Sequence, residues 1–266
     1  MQEIPGISAV VYMGLGGMET GNALADVLTG RVNPCGKLSE TVPMRYADVS
    51  SYAYYPGMEA TSEYREGLYV GYRYFDTAKR EVKYPFGYGL SYTEFEYSNL
   101  TVTEDAVYFT VRNSGSVYGE EIAQLYIHAA TNGMFRPEQE LKGFAKVGLN
   151  PGEEKQVTIA LNDRSFAVWS VLENNWVIEG GSYELRIGAS SRDIRLTAAV
   201  QKAGSAANPY IGEAFAPYYS GGVQQVSDES FAALLGHAIP AAKWDRNAAI
   251  GFNDTISQGE YLDGGI

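Results

Sequence analysis

The chain has 266 residues, a hydrophobic content of 45% and a formal net charge of −12. This length and composition support a buried core in one large or two ordinary domains. The negative charge repels phosphate backbones and anionic headgroups, and no apolar run reaches the roughly 20 residues of a membrane-spanning helix. We therefore expect neither nucleic acid nor a membrane as a partner. The single cysteine, Cys35, excludes an internal disulfide and favours a cytoplasmic location, although a chain that needs no disulfide also functions outside cells.

The N-terminal stretch predicts a strand, a helix and a second extended segment. The apolar, β-branched run Ile7–Met13 is typical of a strand buried on both faces. One helical face is formed by Ala23, Leu24, Val27 and Leu28, and Gly30 follows as a C′ residue. A turn at Asn33–Gly36 leads into the extended Lys37–Pro43. One such unit does not build a doubly wound sheet, so we expect only part of an α/β domain.

Beyond this stretch the sequence changes to short alternating strands. The candidate strands are "AVYFTVRN", "EIAQLYIHA", "KQVTIAL", "FAVWSVL" and "SYELRIGAS", separated by turn clusters such as Asn113-Ser114-Gly115 and Asn150-Pro151-Gly152. About seven strands in about 100 residues predict an all-β, immunoglobulin-like sandwich of the fibronectin type III type. The expected fold class is an α/β fragment (residues 1–94 with a linker) followed by this sandwich (95–200).

The last region, 201–266, predicts an extended tail with one short helix. Gln201–Gly222 is rich in small residues, glycine and proline, and we expect it to run over the surface. In the following segment Ser227 or Asp228 is placed to cap a helix, and Gly236 to end it.

Metal and cofactor chemistry finds little support in the sequence. His128 and His237 are the only histidines, and neither they nor Cys35 have partners at ligand spacing. His128 lies in a strand-like segment, and His237 follows a helix end, where a contact with a carbonyl is common. The stretch "GLGGMETG" (Gly14–Gly21) lacks the phosphate-loop spacing. We expect no metal and no cofactor.

Carboxylates are the remaining catalytic candidates. Hydrolysis of a glycosidic bond uses two of them. The candidates are Glu19, Glu59, Glu63, Glu66 and Asp76. Each also has a structural alternative: Glu19 can meet the dipole of the following helix, and Glu63 and Glu66 can pair with Arg65 and Arg73. The residue types alone leave both interpretations open.

Several longer motifs resemble one enzyme family. Leu15–Pro43, with its Gly-x-Glu-x-Gly and Asn-Pro-x-Gly-Lys-Leu patterns, is similar to the end of the second domain of glycoside hydrolase family 3. Tyr64–Leu100 resembles the segment that connects that domain to a fibronectin type III-like domain. The fibronectin type III-like domain itself is similar to Leu141–Val157 and Trp176–Leu196. The segment "FAALLGHAIP" is similar to an extension in bacterial β-glucosidases of the family.

The resemblance implies an enzyme that hydrolyses a terminal β-linked sugar with retention. It places the catalytic residues of that enzyme outside this chain. Family members place the nucleophile in a Ser-Asp-Trp-type motif on an N-terminal (β/α)8 barrel and the acid/base in a Gly-Glu-Gly-like loop, and neither motif occurs in this sequence. The resemblance therefore assigns no catalytic residue to this chain. The partners that the resemblance implies are a β-glucoside or related oligosaccharide, as the substrate, and the N-terminal barrel domain. The matched scaffold positions are Glu19, Asn33, Pro34, Gly36, Lys37, Glu66, Gly67, Tyr72, Arg73, Phe86, Gly87, Gly89 and Leu90.

Two hypotheses concern Tyr64–Phe75 at the expected junction. We expect Glu66 and Arg73 to form a charge-assisted pair that braces the junction, and to lie at the rim of the substrate pocket. The alternative function is a non-catalytic carbohydrate-binding or interaction module. The sequence offers it no row of exposed tryptophans, because Trp169 and Trp176 flank a predicted hairpin and are expected in the core and at an edge.

Overall fold

The structure is a computed structural model that describes residues 6–58, 60–131, 133–243, 245–247, 249, 251–252 and 254–255. Its helices and strands, in chain order, are α1 (Thr20–Leu28), β1 (Val42–Pro43), α2 (Tyr72–Thr77), β2 (Val82–Tyr84), β3 (Phe95–Val102), β4 (Ala106–Asn113), β5 (Gly119–Ala130), β6 (Glu140–Leu149), β7 (Glu154–Ala160), α3 (Asp163–Phe166), β8 (Val168–Ser170), β9 (Asn175–Val177), β10 (Gly181–Ser190), β11 (Asp193–Lys202), α4 (Ala216–Ser220) and α5 (Asp228–Leu235). Short 3-10 helices span Tyr46–Asp48, Glu213–Phe215 and Val223–Gln225. None of the described helices has the length and apolar character needed to cross a membrane.

Two antiparallel sheets form the predicted sandwich. One has the strand order β11-β10-β5-β6 and the other β3-β4-β7. Alternate residues of the facing strands fill the core: Val107, Phe109 and Val111 of β4, Leu125 and Ile127 of β5, Val157 and Ile159 of β7, and Tyr183, Leu185 and Ile187 of β10. This alternation is the period of two by which successive strand side chains point to opposite faces. The predicted fibronectin type III-like sandwich is confirmed.

A small hairpin outside the two sheets corrects the prediction for the tryptophans. Trp169 on β8 lies opposite Trp176 on β9, and the two residues remain 41% and 40% exposed. Their rings pack edge to face with centroids 5.7 Å apart, and the guanidinium carbon of Arg164 lies 3.8 Å from the Trp176 ring centroid. The prediction that one of them lies in the core was wrong: the buried aromatic residue here is Phe166, at the end of α3, and the two tryptophans pack on each other.

The N-terminal segment keeps the predicted helix but not the predicted strand. Helix α1 forms as expected, and Gly30 follows it with φ at +73°. Ile7–Met13 is exposed and has no regular secondary structure, and it pairs with no strand among the described residues. A strand depends on a neighbour for its hydrogen bonds, and the described chain offers none here. Instead β1 pairs antiparallel with β2.

The tail contributes to a second core, contrary to the prediction that Gln201–Gly222 only runs over the surface. Phe215 and Tyr218 are buried there together with Val223, Val226 and Phe231 from farther along the tail. They pack against Tyr69, Tyr74 and Phe75 near α2 and against Phe135 of the loop between β5 and β6. Helix α5 begins as predicted, since the Ser227 side chain accepts a hydrogen bond from the Ser230 amide. Gly236 ends the helix in the left-handed conformation.

Candidate functional site

The structure does not form the predicted Glu66–Arg73 pair. Arg73 pairs instead with Glu140 on β6, at 3.4 Å. Gly71, with φ at +57°, turns the chain between the two residues, so that α2 carries Arg73 toward the sandwich while Glu66 stays near the tail. Glu66 is only 5% exposed, and its Oε2 atom has no hydrogen-bond partner within the described part of the chain. The expected brace was wrong, because Arg73 is paired with the sandwich and Glu66 is buried beside the tail.

Tyr218 is the tail residue beside Glu66. Burial raises the pKa of Tyr218 to about 12, with the neighbouring Tyr54 and the negative charge of Glu66 as smaller causes. The Tyr69 hydroxyl donates to the Tyr218 carbonyl oxygen. Glu66 is therefore part of the contact between the N-terminal segment and the tail.

Arg65 holds that contact together. Its Nε lies 2.6 Å from Glu63, and its NH2 lies 2.7 Å from Asp228 in the first turn of α5. Its NH1 donates to the Val226 carbonyl at 2.9 Å, and the guanidinium lies over the ring of Phe231. The predicted Arg65–Glu63 pair is present, and the same arginine reaches across to the tail.

No turn forms at Asn33–Gly36, contrary to the prediction, because the chain already turns at Thr29–Val32, directly after α1. The Asn33–Gly36 segment is a second attachment point, between the N-terminal segment and the sandwich. The Asn33 Oδ1 atom accepts from the Tyr92 amide at 2.8 Å and from the Ser91 hydroxyl at 3.0 Å, while its Nδ2 donates to the Tyr118 carbonyl at 3.0 Å. One amide side chain thus joins its own segment to Ser91–Tyr92 and to Tyr118.

Lys37, which directly follows this segment, adds a charge-assisted contact. It lies 3.3 Å from Glu121 on β5 and also donates to the Gly89 carbonyl at 3.3 Å. The side chains of Lys37 and Glu121 are only 12% and 5% exposed, so this pair lies largely out of water.

Replacing Asn33 with alanine tests this attachment. The variant loses three hydrogen bonds worth about 1 kcal/mol each, so the free energy of unfolding should fall by about 2–3 kcal/mol. Urea unfolding measures the loss. Asn22→Ala is the matched control, because the Asn22 side chain makes one exposed contact with Glu19 on α1. Equal stability of the two variants would contradict the assigned role of Asn33.

Stacked aromatic rings connect α2 with the sandwich. The rings of Tyr72 and Phe86 stack at 4.6 Å, and Tyr72 meets Tyr126 of β5 edge to face at 5.9 Å. Gly87 has φ at +79°, and a Cβ atom there would overlap the Gln124 amide. Glycine is required at this position for both reasons.

Polar contacts between α2 and the sandwich border an open cleft of about 660 Å³. Arg192 lies 2.8 Å from Asp76, and Gln139 donates to the same carboxylate at 3.3 Å. Burial raises the pKa of Asp76, although hydrogen bonding and charge from Arg192 oppose this effect. On the far side Arg186 joins Glu184 and Glu138 at 3.1 and 3.0 Å.

The other candidate carboxylates serve structural contacts. Glu19 is at the start of α1 as predicted, but its carboxylate accepts from the Asn22 side chain at 2.5 Å and makes no capping bond to the backbone. Glu63 and Asp76 are held by arginines. Glu59 lies outside the described residues.

The histidines also make local contacts. His128 is a strand residue of β5, as predicted, and its Nδ1 lies 2.6 Å from the Glu138 carbonyl. His237 follows α5 and contacts the Ala238 carbonyl at 2.7 Å. Among the described residues no three His, Cys, Asp or Glu side chains gather as metal ligands would.

One buried ion pair has no signal in the sequence. Arg136 and Glu179, 43 residues apart, lie 2.7 Å from each other with side chains 9% and 5% exposed. Glu179 also accepts from the Met134 amide at 2.6 Å and from the Thr131 hydroxyl at 3.0 Å. No short-range spacing links the two residues, and only the folded loop between β5 and β6 brings them together.

Comparisons with known proteins match both parts of the chain. Residues 1–92 match the glycosyl hydrolase family 3 C-terminal domain, and residues 121–191 match the fibronectin type III-like domain. Thermostable beta-glucosidase B of Acetivibrio thermocellus is 47% identical over 209 residues, which are 76% of this chain and 28% of that protein. An exo-alpha-(1->6)-L-arabinopyranosidase of Bifidobacterium breve is 44% identical over 189 residues, 69% of this chain and 25% of that protein.

The structural comparison agrees with the sequence matches. The crystal structure of a GH3 beta-glucosidase from Bifidobacterium adolescentis superposes with a TM-score of 0.67 at 43% identity, covering 70% of this chain and 28% of that one. Beta-glucosidase 3B from Thermotoga neapolitana, solved with glucose, gives a TM-score of 0.64 at 45% identity, covering 69% and 26%. The chain thus spans little more than a quarter of the length of these relatives. By both domain matches, in this order, the chain belongs to glycoside hydrolase family 3, of which it carries the C-terminal region.

Proposed function

We propose that this chain is the C-terminal scaffold of a retaining, β-glucosidase-like glycoside hydrolase and that the catalytic carboxylates lie on polypeptide outside it. The observation that carries the proposal is the uneven distribution of exposed apolar side chains along the chain. Most of the large apolar side chains that are strongly exposed in the described residues lie before Phe95, among them Tyr12, Tyr55 and Tyr64 at 63%, 69% and 73%. Exposed apolar surface on this scale marks an interface. Its occupant in the proposal is the catalytic part of the enzyme.

The names of the relatives support a scaffold role. Proteins of 44–47% identity to this chain are named as a beta-glucosidase and as an arabinopyranosidase. A region shared at similar identity by enzymes for different sugars is not the region that chooses the sugar. We keep the division into 1–94, 95–200 and 201–266, and the placement of Glu66 and Arg73 at the rim of the pocket, as parts of the proposal.

A chimera tests the proposal. The purified 266-residue chain should hydrolyse no aryl β-glucoside, because it supplies neither catalytic carboxylate. Replacing the matching 209 residues of thermostable beta-glucosidase B with this chain's segment should give a folded enzyme with turnover. The control is the same enzyme truncated before that segment, which should be inactive. Turnover by the 266-residue chain alone, or a folded but inactive chimera, would overturn the proposal.

The exposed tryptophan pair favours a second candidate, the carbohydrate-binding module. One face of Trp176 is occupied by Arg164, which leaves Trp169 as the more available ring. The same chimera decides between the candidates, since a mere binding module would be dispensable for turnover and the truncated control would then stay active.

A further inference from the structure

The cleft between α2 and the edge of the β10–β11 sheet has a balanced, polar lining. Three carboxylates and three cations border it: Asp76, Glu138 and Glu184, and Lys79, Arg186 and Arg192. Its volume of about 660 Å³ lies within the roughly 300–1,000 Å³ typical of small-ligand pockets. Ile194 is its one lining residue with an apolar side chain.

The pairing of these charges argues against two ligand classes. Arg186 is shared between Glu184 and Glu138, and Arg192 lies against Asp76. An anion such as phosphate would have to compete with an existing partner at both arginines, which leaves it only Lys79, and a metal cation would have to compete with an arginine at each of the three carboxylates. A neutral ligand keeps all the pairs intact.

The floor of the cleft is rigid. Gln139 is 3% exposed, and its Nε2 donates to Asp76 at 3.3 Å and to the Ser191 carbonyl at 2.7 Å. Its Oε1 accepts from Arg186 at 3.1 Å. Side chains held in this way lose little freedom when a ligand binds, which favours affinity.

We propose that this cleft binds a neutral mono- or disaccharide. A carbohydrate hydroxyl both donates and accepts hydrogen bonds, and the lining offers carboxylate oxygens and guanidinium donors side by side together with the Thr197 hydroxyl. The choice of a saccharide among neutral polyhydroxylated molecules rests on the proposed function. The cleft also lies where α2 meets the sandwich, and ligand sites are frequent at such boundaries.

The test is a titration of the isotopically labelled 266-residue protein with cellobiose, followed by backbone amide shifts. The expected result is saturable binding with shifts concentrated at residues 137–140 and 184–197. Glu184→Gln should weaken binding at least fivefold without unfolding the protein, because the Glu184 side chain is 39% exposed. Glu96→Gln is the matched control, since Glu96 is also a strand carboxylate that faces an arginine, Arg112, but lies on the other sheet.

Three results would overturn the inference: no saturation, shifts centred on Trp169 and Trp176, or equal affinity in both variants. Saturable binding of inorganic phosphate without cellobiose binding would overturn it as well. The outcome is separable from the chimera experiment, because binding by the 266-residue chain requires no catalytic residue and turnover by the chimera requires no occupied cleft.

Discussion

Raising the pH above 10 should unfold this protein steeply, because it buries several tyrosines in neutral form. Burial raises the pKa of Tyr69, Tyr97 and Tyr126 well above the ordinary value, and that of Tyr218 to about 12. The negative charge of Glu121 adds to the effect at Tyr97. In the unfolded chain these groups lose their protons near pH 10.

The direction in which pH changes the free energy of unfolding follows from proton linkage. Above pH 10 the folded state keeps protons that the unfolded state has released, so the free energy of unfolding falls as pH rises. Each such group contributes a slope of about 1.4 kcal/mol per pH unit, and four together about 5.5 kcal/mol per unit. The stability from these groups is fully present below pH 10; the part from Tyr218 is lost by about pH 12, and the loss from the other three continues above pH 12. The free energy of unfolding of a typical protein is about 5–15 kcal/mol, which is comparable to that loss.

Chemical unfolding at pH 8 to 11.5, together with the ultraviolet absorbance of tyrosinate, measures this effect. Tyr126→Phe should reduce the slope by about 1.4 kcal/mol per unit, even though it also removes the hydrogen bond to Gln124. Tyr46→Phe, at a residue 63% exposed, should leave the slope unchanged. If all tyrosines ionised together near pH 10 in the folded protein, the prediction would be wrong.

Removing one member of the Arg136–Glu179 pair should cause a large loss of stability. Glu179→Ala leaves the Arg136 guanidinium buried without its counter-charge and also takes the acceptor from the Met134 amide. The expected loss is about 3–5 kcal/mol, measured by urea unfolding at pH 7. Gly133→Ala should also destabilise the protein, because a Cβ atom at Gly133 would overlap the Glu179 carboxylate.

Two controls separate the ion pair from the loss of any glutamate. Glu173→Ala, at an exposed residue of the β8–β9 hairpin, should change stability little. The double variant Arg136→Met/Glu179→Leu should regain much of the loss, since replacing a buried pair with apolar residues of similar size is often nearly neutral. A loss below 1 kcal/mol in Glu179→Ala would contradict the assignment.

Short-range patterns predicted most of the secondary structure. The alternation in β4, β5, β7 and β10 identified the sandwich, because the two faces of a strand alternate along the sequence itself. Helix α5 was predicted with its cap, since Ser227 and Gly236 act on backbone groups only a few residues away. These features depend on neighbours that the sequence places nearby.

The candidate site was predicted less well. The sequence pointed to Tyr64–Phe75 as a junction, and Arg65 indeed joins it to the tail. The proposed partner of Glu66 was wrong, however, because Arg73 pairs with Glu140 on β6. Helical or strand spacing does not report a partner 67 residues away.

By itself, the sequence determined the sandwich, helices α1 and α5 and the family resemblance, all of which depend on local periodicity, capping residues or contiguous motifs. Only the tertiary structure decided the partners of Arg73 and Glu179, the burial of Tyr218, and the exposure of Ile7–Met13. The reason is physical: a strand or an ion pair depends on groups brought close by the fold, and no short stretch of sequence specifies which distant group that will be.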